Sequence, residues 1–134
     1  MRPNVYEQYK QQSLNTLSQG EVLVKLFEEC SKQLHMAQNA NILKDYAKTT
    51  EAMNKAQEII DTLSASLDMS FPISQQIKPL YTFVSQHLRQ AGIRKDNEMI
   101  GEVLPIIQDL RDAFDIAQKQ NRRPQQAMVG NRAI

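Results

Sequence analysis

Apolar residues recur along this chain at alternating steps of three and four, the spacing that gathers side chains on one face of an α-helix. A first run puts Leu23, Leu26, Cys30, Leu34 and Ala37 on one stripe, with Lys25, Glu29, Lys32 and Gln33 between them. Ser18 and Glu21 just ahead of it have the spacing of a capping box, so a helix is predicted to start there and to end or loosen around Asn39 to Asn41. A second stripe runs Met53, Ala56, Ile60, Leu63, Leu67; a third Ile77, Leu80, Tyr81, Val84, Leu88, Ala91; a fourth Ile100, Val103, Ile107, Leu110, Phe114, Ala117.

Punctuation between the runs sets their expected limits. Asp45 is a candidate cap for the second helix, with Ile42, Leu43 and Tyr46 belonging either to its first turn or to the connection. The segment Asp68 to Pro72 breaks the pattern, because the residue before a proline avoids the helical region. Pro79 loses no hydrogen bond if it stands in the first turn of the third helix, and Gly92 suits a left-handed stop at its end. Asp96 offers an N-cap for the fourth helix, in which Pro105 lacks an N–H and presses on the carbonyl of Gly101, predicting a kink between them.

Each stripe alone would be marginal as a helix, so the four must pack on one another. The predicted fold is all-α, an antiparallel four-helix bundle spanning residues 18–118. Residues 1–17 hold Tyr6, Tyr9, Leu14 and Leu17 without a sustained face and read as an N-terminal arm. Residues 119–134 carry Lys119, Arg122, Arg123 and Arg132 with Pro124 and Gly130 and no acid, and read as a mobile basic tail. A length of 134 residues suits one such domain, and the absence of Trp, with aromatics at 6%, disfavours a sandwich or barrel.

Charge and chemistry narrow the function by exclusion. Lys plus Arg number 16 against 15 for Asp plus Glu, so the chain as a whole is no polyanion binder, and four tail charges without a stacking platform argue against nucleic acid. No apolar run approaches a membrane span, and Met1 to Lys10 is polar where a secretory signal would be apolar. Gly20, Gly92, Gly101 and Gly130 are scattered, so no phosphate-binding loop is expected. His35 and His87 lack the Glu three residues earlier that a di-metal bundle site uses, and Cys30 lies within a core stripe with no histidine at a neighbouring helical position. The run Asp109, Asp112, Asp115 beside Arg111 reads as a solvated face. Neither enzyme activity, nor a metal, nor any other cofactor is expected.

Some apolar residues exceed what a narrow core needs: Met99, Ile106 and Ala113 form a second stripe on the fourth helix, and Ala52 and Ile59 on the second. They either widen the core or line a groove for a partner's amphipathic helix.

Two stretches carry a resemblance. One is Ala52-Met53-Asn54-Lys55-Ala56-Gln57-Glu58-Ile59-Ile60 followed by Leu63 and Ser66-Leu67-Asp68; the other joins Leu80-Tyr81 to Leu88, Ala91, Asp96 and Leu110-Arg111-Asp112-Ala113-Phe114. In order and spacing they resemble the flagellin-specific export chaperones of bacterial flagellar type III secretion, the FliS family, over roughly Tyr6 to Phe114. The family's N-terminal pattern is matched by Tyr9, Leu14, Asn15-Thr16 and Ser18, and its next signature partly by Leu26-Phe27-Glu28-Glu29-Cys30, with Lys25, Ser31 and Gln33 standing where the family commonly has apolar residues. The resemblance implies a cytoplasmic bundle that covers the disordered C-terminal segment of flagellin, prevents its premature polymerisation and keeps it fit for export, with the export apparatus or its regulators as further partners. It implies an arm or gate role for Tyr6, Tyr9 and Leu14, and client contacts at Leu23, Leu26 and Phe27. Without it, the residues equally fit a structural or regulatory bundle that self-associates or binds another folded protein.

Overall fold

The computed structural model describes residues 19–120. They form four helices: α1 (Gln19–Ile42), α2 (Tyr46–Ala65), α3 (Pro72–Arg94) and α4 (Asn97–Gln120), with no strand among the described residues. The arm, Ser18 of the capping box and the chain beyond Gln120 lie outside the described residues. Each helix packs on two neighbours in a closed ring, α1 on α2 and α4, and α3 on α2 and α4. Cross-links give the directions. Cys30 Sγ meets the Ala56 carbonyl and Asn41 meets Thr49; Lys78 reaches the Ser64 carbonyl; Gln38 bonds Asn97 and Glu28 bonds Arg111. Residue numbers rise on one helix as they fall on the next, so the bundle is antiparallel.

All the stripe residues of α1 and α2 are buried, as are Tyr81, Val84, Leu88 and Ala91 on α3 and Ile100 through Phe114 on α4, while Ile77, Leu80 and Ala117 pack half-buried against them. The second stripe divides. Ala52 and Ile59 are core, Met99 and Ile106 lie half-buried at its edge, and Ala113 is exposed. Phe27 is the aromatic centre: its ring stacks on Phe114 with centroids 5.4 Å apart and meets Tyr81, across the diagonal of the ring of helices, at 6.4 Å.

Local chemistry sets the helix limits, in three places against the sequence expectation. Helix α1 does not stop at Asn39 to Asn41. It runs to Ile42, because Asn41 and Gln38 turn their polar groups to Asn97 and Thr49 instead of competing for their own backbone. Lys44, at φ 60°, then closes it with two bonds of a Schellman motif, from its own N–H to Asn41 and from Asp45 N–H to Ala40. Helix α3 runs past Gly92 to Arg94, and Lys95 at φ 55° takes the left-handed position. It also starts earlier than Pro79 allowed, with Pro72 at its first turn and Pro79 inside, its ring exposed. Asp45 and Asp96 cap as expected. Asp45 accepts from Lys48 N–H at 3.3 Å, and Asp96 from Glu98 and Met99 N–H at 2.9 and 3.1 Å. Helix α4 is continuous through Pro105, which is exposed.

Cys30 is wholly buried, and burial pushes its thiol up to about 12, with the nearby Glu29 charge adding to the effect. Burial likewise raises the Tyr81 phenol. Both groups keep their protons in the folded chain at pH values where the unfolded chain loses them, so the unfolded state gains the advantage as pH rises. Stability is expected to be unaffected by these groups at neutral pH and to fall from about pH 9, the ordinary thiol value, towards pH 12, measured as urea midpoints across that range. Alkylation of Cys30 by iodoacetamide at pH 8 is expected to proceed only at the rate of unfolding.

Two glycines give a paired test. A Cβ on Gly20 would lie 2.5 Å from Gln118 Cβ, where α1 and α4 approach closely, whereas one on Gly92 would meet Met53 at an ordinary 3.7 Å. Gly92→Ala is expected to stabilise the bundle by about 1 kcal/mol, the helix-propensity difference. Gly20→Ala is expected to lower the melting temperature, since one of the two helices must shift.

Candidate functional site

Of the residues singled out for partner binding, Tyr6, Tyr9 and Leu14 lie outside the described residues. Leu23, Leu26 and Phe27 are brought together on the N-terminal half of α1, with exposures of 8%, 2% and 0%. Val22 and Val24 beside them are buried too, so at 100° per residue the covered arc of α1 reaches roughly 200° of its circumference. Lys25 points outward, and Ser31 is half-buried. Gln33 is buried, its amide donating to Glu29 at 2.8 Å while its carbonyl oxygen has no partner. A polar group thus occupies a position where an apolar side chain would seal the edge of α1 without an unmet hydrogen bond.

Apolar surface survives at both ends of the bundle. At the end carrying the α1–α2 and α3–α4 connections, Ile42, Leu43 and Ile93 are 69%, 72% and 70% exposed, with Met36 and Tyr46 also open. At the other end Met69, Ile73 and Ile116 are exposed. Between α2 and α3 runs a groove of about 330 Å³. Its floor is Met53, Leu88 and Gly92, its α2 wall Thr50, Asn54 and Gln57, and its α3 rim Arg89, Ile93 and Lys95. A second, shallower hollow lies on the outer face of α1 around His35, Met36 and Ile42.

Charged side chains brace the seams. Arg111 on α4 grips Glu28 on α1 through Nε and Nη2 at 2.9 and 2.8 Å, and also reaches Asp112 and Asp115. The Glu28 hydrogen bond, with that of Asp112, holds the guanidinium above its ordinary range. Lys119, 3.0 Å from Asp115, holds that carboxyl below the usual carboxylate value. The expected solvated acidic face is therefore in part an interhelical ion network. His87 joins α3 to α4 through Glu102 at 2.7 Å and stacks on Phe83, a boundary role. Cys30 donates weakly to the Ala56 carbonyl. No group of three metal-ligating side chains occurs among the described residues, and none of their helices is long and apolar enough to cross a membrane.

The stripes alone did not reveal the α2–α3 groove, although its signal is present in them. Thr50, Met53, Asn54 and Gln57 follow i, i+3, i+4, i+7 spacing and are all uncharged on a helix that otherwise carries Glu51, Lys55 and Glu58. The Glu28–Arg111 pair, 83 residues apart, has no local signal at all.

Comparison with known proteins places this geometry. Residues 2–121 match the family model described as flagellar protein FliS. The chain is 32% identical over 127 residues to a flagellar secretion chaperone of that family from Bacillus subtilis strain 168, covering 95% of this chain and 96% of the relative. A second chaperone of the same name, from Vibrio cholerae serotype O1, is 31% identical over 67 residues, or 48% of this chain and 49% of its own. A family match over residues 2–121, with a relative 32% identical over 95% of the chain, shows that the chain belongs to the FliS family, whose members are non-enzymatic flagellar secretion chaperones.

Proposed function

We propose that this bundle binds the C-terminal segment of flagellin in the bacterial cytoplasm, keeps it from polymerising before export and holds it competent for type III secretion. The observation that carries the reading is the family match over residues 2–121, joined to a core that is already closed while Ile42, Leu43 and Ile93 and the α2–α3 groove still offer apolar surface to another chain. A disordered client presents apolar residues that would otherwise find other copies of itself, and a helical host supplies the missing layer.

In this reading residues 1–17 are an arm in which Tyr6, Tyr9 and Leu14 cover apolar surface until the client replaces them, and the four helices are the binding body, which extends past the expected limit of residue 118 because α4 continues to Gln120 with Lys119 bonded to Asp115. Leu23, Leu26 and Phe27 are the client contacts on α1. Because all three are buried, such contact requires one covering layer to be exchanged for another. The export apparatus and its regulators are the further partners.

Co-expression with the last forty or so residues of the same cell's flagellin is expected to give a soluble one-to-one complex, with a negative heat-capacity change on binding. No complex at micromolar concentration would favour a bundle that self-associates or serves another folded protein. Tyr9→Ala is expected to weaken client binding with an unchanged melting curve; unaltered binding removes the arm role. Leu26→Ala is expected to cost about 2–5 kcal/mol of stability as well, because it empties core volume.

A further inference from the structure

The α2–α3 groove sets two cations beside an apolar floor. Its nine lining residues include two cations, Arg89 and Lys95, and no acid. Three other cations of the bundle lie within ion-pair distance of an acid: Arg111 of Glu28, Lys119 of Asp115 and Lys55 of Glu51. Arg89 makes no hydrogen bond or ion pair within the described residues, and Lys95 Nζ makes one, to the Gly92 carbonyl, leaving two of its three donors unused. The nearest acid in sequence, Asp96, is held as the α4 cap by Glu98 and Met99 N–H.

The floor beneath these cations is apolar. Met53 and Leu88 line it, Gly92 leaves it deep, and Ile93 stands as a rim at 70% exposure. The α2 wall supplies neutral donors and acceptors, Thr50 and Asn54, suited to the unpaired main-chain groups of an extended chain end, while the Gln57 amide donates to Ser85 on α3 and to Asp61. An apolar slot beside two unpaired cations has the chemistry of a pocket for a polypeptide's last residues: side chains on the floor, terminal carboxylate at the rim. The dipole of α3 ends here and opposes an anion. That opposition is reduced because Lys95 and Asp96 N–H both take the Ala91 carbonyl and Lys95 Nζ takes that of Gly92.

We infer that the α2–α3 groove is a subsite for the free C-terminus of the client, with Arg89 and Lys95 receiving its α-carboxylate and Met53, Leu88 and Gly92 its final apolar side chains. The inference rests on the flagellin reading and names the atom group by which that client is placed on the bundle. A C-terminal clamp gives a chaperone selectivity for completed chains, since a chain still on the ribosome has no free carboxylate.

Two synthetic peptides test it, each the last forty residues of the same cell's flagellin, one with a free carboxylate and one amidated, titrated calorimetrically into the full chain. The free acid is expected to bind roughly tenfold more tightly, the scale of one charge-assisted contact. That difference is expected to shrink as salt rises and to vanish in the Arg89→Gln/Lys95→Gln double variant, whose melting curve serves as the fold control. Equal affinity of the two peptides for the unaltered chain overturns the inference and leaves the flagellin reading standing. A difference that persists undiminished in the double variant overturns the assignment to this groove. Binding of neither peptide overturns the flagellin reading itself, and the subsite with it.

Discussion

Phe27 holds three helices of this bundle in one place. Its ring stacks on Phe114 of α4 and reaches Tyr81 of α3, and it stands on α1, whose seam with α2 is the most extensive in the fold. Aromatic pairs at these separations add about 0.5–1.5 kcal/mol each beyond the area they bury. The larger consequence is geometric: α1 and α3 do not touch through their backbones, and the two rings meet across the diagonal between them. Volume in a packed interior cannot change by a methylene without response. The residues around this layer, Leu23 and Leu26 among them, are thus part of whatever keeps α1 in position.

The opposite end is organised by polar groups. Asn41 Nδ2 donates to Asn97 Oδ1 at 2.7 Å, Thr49 Oγ1 donates to Asn41 Oδ1, and Asn97 and Gln38 exchange side-chain-to-carbonyl bonds. This ties the two connections together. Lys44 and Lys95 hold left-handed caps where glycine would be unstrained, at a cost of order 1 kcal/mol each. A lysine at that position sets a positive charge against the carbonyl end of its helix, which offsets part of the strain. It is on this braced end that Ile42, Leu43 and Ile93 remain in water. Exposure there does not come from loose packing.

What could be read from the chain alone was whatever is written locally. The stripes, the Asp45 and Asp96 caps and the inert burial of Cys30 depend on neighbours within a turn or two, and the structure has them where the spacing put them. Two of the three misread boundaries involve a distant partner. Asn39 to Asn41 look like a helix end until Asn97 and Thr49 take up their amides, and Gly92 looks like a stop until it proves to line a groove against Met53. The third, the start of α3, has a local reason: Pro72 takes the first turn and the ring of Pro79 inside the helix is exposed. The Glu28–Arg111 brace and the groove were invisible because each needs two helices, and no pattern on one helix states what faces it across a seam.

Core and groove therefore divide the surface of this chain into two kinds of position. At Leu26 and Phe27 any contact with a client is inseparable from packing, since the same atoms fill the interior. At Arg89 and Lys95 the side chains stand at a rim, and neither makes a contact on which the bundle's closure depends. A host that must take up a flexible chain and later release it gains from such a division. If the proposed contacts hold, apolar exchange near α1 would supply affinity while perturbing the host, whereas charge at a prebuilt groove would select and orient the guest without altering the fold that presents it.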